Sequence, residues 1–85
     1  MSTAFQTAVK SRIADNTRYR AIDRLAERDE RTNLGVIVRT GGMSGTFRRR
    51  ALERLADCNG TDELEALAED TTIEPSLRQR AAELA

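Results

Sequence analysis

Eighty-five residues make one small domain, and a chain of this size buries too small a share of its surface for a deep catalytic interior to be expected. Its 14 Lys+Arg balance its 14 Asp+Glu, so no global field draws DNA or an anionic membrane, and such binding would need a local patch. The lack of histidine removes the commonest metal ligand and general base, and the single cysteine, Cys58, excludes an internal disulfide framework.

The N-terminal stretch has no apolar run of signal-peptide length, and no apolar segment of the roughly 18 residues that span a bilayer occurs anywhere. No membrane association is read, and the cytoplasm is the expected compartment. The first predicted helix covers residues 2–14, where Phe5, Val9 and Ile13 recur at i, i+4 and i+8. The second covers 17–28, with Ala21, Ile22, Leu25 and Ala26 on one side. The third, 32–40, is the least obvious. LGVIVRTGG reads in isolation as a buried strand between glycines. It is assigned as a helix because its counterpart further on, LEALAED, is a strong helix former and no partner strand exists. The fourth helix, 46–58, places Leu52, Leu55 and Ala56 at three-and-four spacing. Asn59-Gly60-Thr61 then breaks the pattern, with Gly60 suited to a C-terminal cap and Thr61 or Asp62 to the next N-cap. The fifth, 62–70, opens on Asp62 and Glu63, acids that the helix dipole favours there. The sixth, 76–85, follows the one proline, Pro75, at a position fit for a helix start.

Three of these helices share a register. Arg18, Arg48 and Arg78 stand thirty residues apart, as do Arg20, Arg50 and Arg80, then Ala21, Ala51 and Ala81, then Asp23, Glu53 and Glu83. Asn16, Thr46 and Ser76 form a column of residues favoured at a helix N-cap. Ile13, Met43 and Ile73 precede them, and Leu34 and Ile37 match Leu64 and Leu67. A fixed period of this size marks an architecture of repeated supersecondary units. The expected organisation is a capping helix at 1–15, repeats at 16–45 and 46–75, and the opening helix of a third at 76–85.

On a helical wheel of about 100° per residue, Phe47, Ala51, Leu52, Leu55 and Ala56 share one face, and Arg48 falls in its middle. Arg50, Glu53, Arg54 and Asp57 lie opposite. The run Arg48-Arg49-Arg50 therefore spans three environments. An arginine on a buried face must reach a partner. Asp70 and Glu74 are the candidate partners for the later repeats and Asp15 for the first, so Arg18, Arg48, Arg78 and Asp70 are read as an inter-repeat ladder.

The pattern Phe47-Arg48-x-x-Ala51-Leu52-x-x-Leu55, then Leu64-x-x-Leu67, Asp70 and Leu77-Arg78-x-x-Ala81, resembles the HEAT-like repeat of the phycobilisome-lyase type. The resemblance covers residues 17–85 and departs at Thr17, Gly41-Gly42 and Ala85. It implies an all-α fold, a short right-handed α-solenoid of HEAT-like helical hairpins behind the N-terminal capping helix. Some HEAT-like proteins, DNA glycosylases among them, grip DNA through aligned helices.

The function expected on these grounds is that of a non-enzymatic protein–protein interaction module or small adaptor. A solenoid this short exposes an apolar face at each open end, and the chain stops at Leu84-Ala85 within a repeat's first helix, which invites a partner or self-association as a homodimer. The alternative is a nucleic-acid-associated regulator with Arg20, Arg24, Arg50, Arg54 and Arg80 as a ridge. Against it, Asp23, Glu53, Glu83 and Asp57 share that face and can neutralise it at i,i+4, and few aromatics exist to stack bases. An accessory subunit of an enzyme complex is a third reading. Thr40-Gly41-Gly42-Met43-Ser44-Gly45-Thr46 offers backbone N–H groups for an anion but matches no phosphate-loop spacing. Cys58 lacks a neighbouring base to form thiolate. No catalytic residue, metal site or cofactor is read.

Overall fold

The computed structural model describes residues 3–10 and 14–85. Among these, six helices and no strand occur: α1 (Thr3–Val9), α2 (Asp15–Glu27), α3 (Arg31–Arg39), α4 (Gly45–Asp57), α5 (Thr61–Ala68) and α6 (Pro75–Leu84). The valine-rich stretch is thus helical, as its counterpart predicts. Ile13 lies outside the described residues. The helix expected over 2–14 does not reach Ala14, whose ψ of 144° is extended because this residue starts the next helix.

The helix starts correct the expected caps. Asn16, Thr46 and Ser76 all lie inside the first turn. The N-cap positions are Ala14, Ser44 and Glu74, again thirty residues apart, with φ/ψ of −57/144°, −57/142° and −61/146°. Only Ser44 caps with its side chain, its Oγ accepting from the Thr46 backbone N–H at 3.3 Å. Pro75 occupies the first helical position, where its missing N–H costs nothing.

The ends of α2 and α4 are equally alike. Asp29 and Asn59 adopt left-handed conformations, with φ of 54° and 59°. Asp and Asn tolerate this region better than other residues with a Cβ. The next amides, of Glu30 and Gly60, donate back to the carbonyls of Leu25 and Leu55 at 2.9 and 2.7 Å. This is the Schellman arrangement. Glu30 and Gly60 also serve as the N-caps of α3 and α5, so each turn is tight. Gly60 therefore supplies space rather than a positive φ. A Cβ there would lie 2.8 Å from Leu55 Cδ2 and 2.9 Å from the Leu55 carbonyl oxygen.

Packing follows the same period. Each odd-numbered helix packs on the even-numbered helix after it, α4 lies between α2 and α6, and α3 packs on α5. The core is filled by equivalent residues: Ile22 with Leu52, Leu25 with Leu55, Leu34 with Leu64, and Ile37 with Leu67, all buried. Each such side chain contributes roughly 1.5–3 kcal/mol on burial. The result measures 30 × 24 × 20 Å.

Candidate functional site

Arg48 and Arg18 are buried on the apolar face, as the wheel requires. Arg48 donates from Nε to the Val38 carbonyl at 2.8 Å and from Nη1 to Glu74 Oε1 at 2.8 Å. Arg18 donates from Nε to the Ala8 carbonyl at 2.9 Å, and its guanidinium lies 4.0 Å over the Phe47 ring. Both acceptors sit ten residues upstream, at or near the C-terminal end of the helix packed alongside. An arginine there satisfies a carbonyl that the helix leaves without an internal donor and complements the negative end of its dipole. Asp15 does not serve Arg18. Arg78 differs from both: its Nε is buried without a hydrogen-bond partner among the described residues. Asp70 pairs with neither, because it lies beside Arg39.

The opposite face carries a second set of contacts that the sequence reading placed within single helices. Asp23 on α2 accepts from Arg50 Nε and Nη2 on α4 at 2.9 and 2.7 Å, and from Arg54 Nε at 2.9 Å. Glu53 on α4 accepts from Arg80 Nε and Nη2 on α6 at 2.7 and 2.9 Å. Both bidentate pairs join residues 27 apart, across adjacent helices. Within single helices, Arg54 also pairs with Asp57 and Arg80 with Glu83 at i,i+3 spacing, rather than at the expected i,i+4. Tyr19 completes the α2–α4 seam, its ring 4.8 Å from that of Phe47 and beneath the Arg50 guanidinium. The Arg50 bond holds the Asp23 carboxyl below its ordinary range against the effect of burial, with Arg54 adding to it. Arg80 does the same for Glu53.

The α3–α5 seam is tied by Arg39, which donates to Asp70 Oδ2 at 2.9 Å and Glu63 Oε2 at 3.4 Å. Asp70 also accepts from the hydroxyl and backbone N–H of Thr72. Those Thr72 contacts first, and Arg39 after them, bring its carboxyl down to about 2. Arg31 reaches the end of α4, its Nε 2.7 Å from the Cys58 carbonyl.

The anticipated ridge is therefore divided. Arg50, Arg54 and Arg80 are held by carboxylates, whereas Arg20 and Arg24 are exposed and make no ion pair with a described residue. The 41–45 loop forms the same turn as its counterpart: Met43 N–H donates to Thr40 and Ile73 N–H to Asp70, at 3.2 and 3.4 Å. Its glycines have no positive φ, and a Cβ on Gly41, Gly42 or Gly45 would meet nothing within 4 Å. Arg48, in the first turn of the helix that follows this loop, is buried, as its place on the apolar face predicts. Cys58 is buried, and burial pushes its thiol above the ordinary range, opposed by nearby Arg31. Among the described residues no cluster of three His, Cys, Asp or Glu side chains could hold a metal ion, and no helix is long and apolar enough to cross a membrane.

What this arrangement does chemically is fix one helix against the next. The cross-helix pairs escaped the sequence reading even though their columns were visible. The constant offset between the acids at 23 and 53 and the arginines at 50 and 80 was the available signal. Compared with family models, curated proteins and solved structures, the chain matches none.

Proposed function

We propose that the chain is a non-enzymatic protein–protein interaction module, a short right-handed α-solenoid of HEAT-like hairpins acting as a small adaptor. One observation carries this reading: the same contacts recur after thirty residues, Arg18 with Ala8 and Arg48 with Val38 inside, Asp23 with Arg50 and Glu53 with Arg80 outside. Units stacked in this way build a stiff surface whose parts keep fixed spacing, which suits recognition more than chemistry. Its polar groups are spent mostly on one another.

The test is capture from the source cell by the immobilised chain, followed by titration of the captured protein against the purified chain. A saturable, stoichiometric complex with a second protein supports the reading, and its absence counts against it. An accessory-subunit role is a special case that the identity of the captured protein decides. A nucleic-acid surface is less well supported, since three of its five arginines already face carboxylates. It would require oligonucleotide affinity that falls steeply with salt.

A further inference from the structure

The inner pairs of this fold leave matching ends. Asp23 takes Arg50 and Arg54 from the next even-numbered helix, and Glu53 takes Arg80. On α6 the same column holds Glu83, an exposed acid that, among the described residues, pairs with Arg80 on its own helix at 3.3 Å. On α2 the column of Arg50 and Arg54 holds Arg20 and Arg24, both exposed and without an ion pair among the described residues. If a second copy continues the stack in register, its residue numbers add three periods of thirty. The position 27 beyond Glu83 is then Arg20 of that copy, and the position 31 beyond is its Arg24, the separations of Asp23–Arg50 and Asp23–Arg54.

The odd-numbered helices give a second, independent match. Arg39 on α3 pairs with Asp70, 31 residues on. One period later Arg39 becomes Glu69, and the residue 31 beyond it is Lys10 of the second copy. The charges are reversed but complementary, and both side chains are exposed. The apolar contact is smaller than at the inner seams, so the charged pairs carry the match. Ile22 and Leu52 are fully buried, whereas their equivalent on α6, Ala82, is exposed. In this register α1 of the second copy falls behind α6 as α3 falls behind α2.

We propose that the acidic end of one copy, centred on Glu83 and Glu69, docks on the basic end of a second copy, centred on Arg20, Arg24 and Lys10. This rests on the interaction-module reading and names its partner as the chain itself. The contact is head-to-tail, so it generates open chains or rings rather than closed symmetric dimers. Electrostatic pairing makes it sensitive to salt.

The test is analytical ultracentrifugation of the 85-residue chain at low ionic strength over a wide concentration range. The expected result is a rising series of oligomers that returns to monomer near 1 M salt, where the screening length falls to about 3 Å. Glu83→Arg, and separately Arg20→Glu with Arg24→Glu, each weaken association tenfold or more while circular dichroism shows the helices intact. Mixing the two variants restores assembly, because each blocked end now complements the other protein's altered end. A wild type that stays monomeric overturns the proposal, as does assembly that survives either variant or a mixture of folded variants that does not assemble. A monomer that still binds a different protein saturably overturns head-to-tail stacking and leaves the interaction-module reading standing.

Discussion

Arg48 reaches ten residues back along the chain to donate from Nε to the carbonyl oxygen of Val38 at 2.8 Å. The bond closes the end of α3 onto the start of α4. The same guanidinium then crosses to Glu74, at the start of α6. One side chain thus joins three helices, and it does so from a position 4% exposed.

Arg48→Met keeps the aliphatic stem but strands the Val38 carbonyl. An unpaired buried acceptor costs about 1–3 kcal/mol, with the lost ion pair in addition. For a domain of this size that is a fall in Tm of about 4–20 °C. Differential scanning calorimetry checks it, and a shift under about 3 °C contradicts the assigned role.

Arg78→Met should behave in the opposite way. Its Nε is buried with no acceptor among the described residues, so replacing it removes a desolvation cost instead of a bond. Urea unfolding should show stability unchanged within about 0.5 kcal/mol or slightly raised. A loss like that of Arg48→Met would mean that Arg78 has a partner equivalent to Ala8 or Val38.

Acid should loosen the seams between helices before the core. Asp23, Glu53 and Asp70 all have carboxyls held below their ordinary values, so each stabilises the fold above its unfolded pKa of about 4 and loses that contribution as pH falls through the folded value. For Asp70 the folded value is about 2, so its share persists furthest into acid. Thermal midpoints should be flat from about pH 7 to 5 and then fall toward pH 2. Asp23→Asn should reduce that fall, and an unchanged profile would show that the Arg50 and Arg54 contacts do not form in solution.

Much of this was legible in the columns. Apolar spacing located the helices, and the match of LGVIVRT to LEALAED settled α3 against its valines. Arg48 in the middle of an apolar arc announced a buried cation. The partners were harder to find, because a carbonyl acceptor has no sequence signature: Val38 and Ala8 accept through backbone that any residue supplies. The N-caps of α2, α4 and α6 lie two residues before the expected ones because Asn16, Thr46 and Ser76 look like caps, while Ala14 and Glu74 do not. At those two the backbone alone sets the turn, and neither offers a side-chain cap. A helical wheel displays one helix at a time, so it sets Asp23 and Glu53 against arginines on their own helices and hides Arg50 and Arg80 on the next.

Glycine substitutions separate space from habit. Gly60→Ala forces a Cβ against Leu55 Cδ2 and the Leu55 carbonyl, in the bond that closes α4, and should cost about 1–2 kcal/mol. Gly41→Ala and Gly42→Ala meet open space at negative φ and should stabilise by about 0.5 kcal/mol each through the unfolded chain. Equal effects at all three positions, measured by urea titration, would contradict the account of the turn.

The most direct measurement is nuclear Overhauser spectroscopy on the arginine Nε–H groups of the uniformly labelled chain. Equivalent placement of Arg18 and Arg48 predicts two Nε protons protected from exchange, one close to Ala8 and Val9 and the other to Val38 and Arg39, with Arg18 shifted by the Phe47 ring. Rapid exchange at both, or contacts that differ between the two sites, would show that the thirty-residue columns do not occupy matching places in the fold.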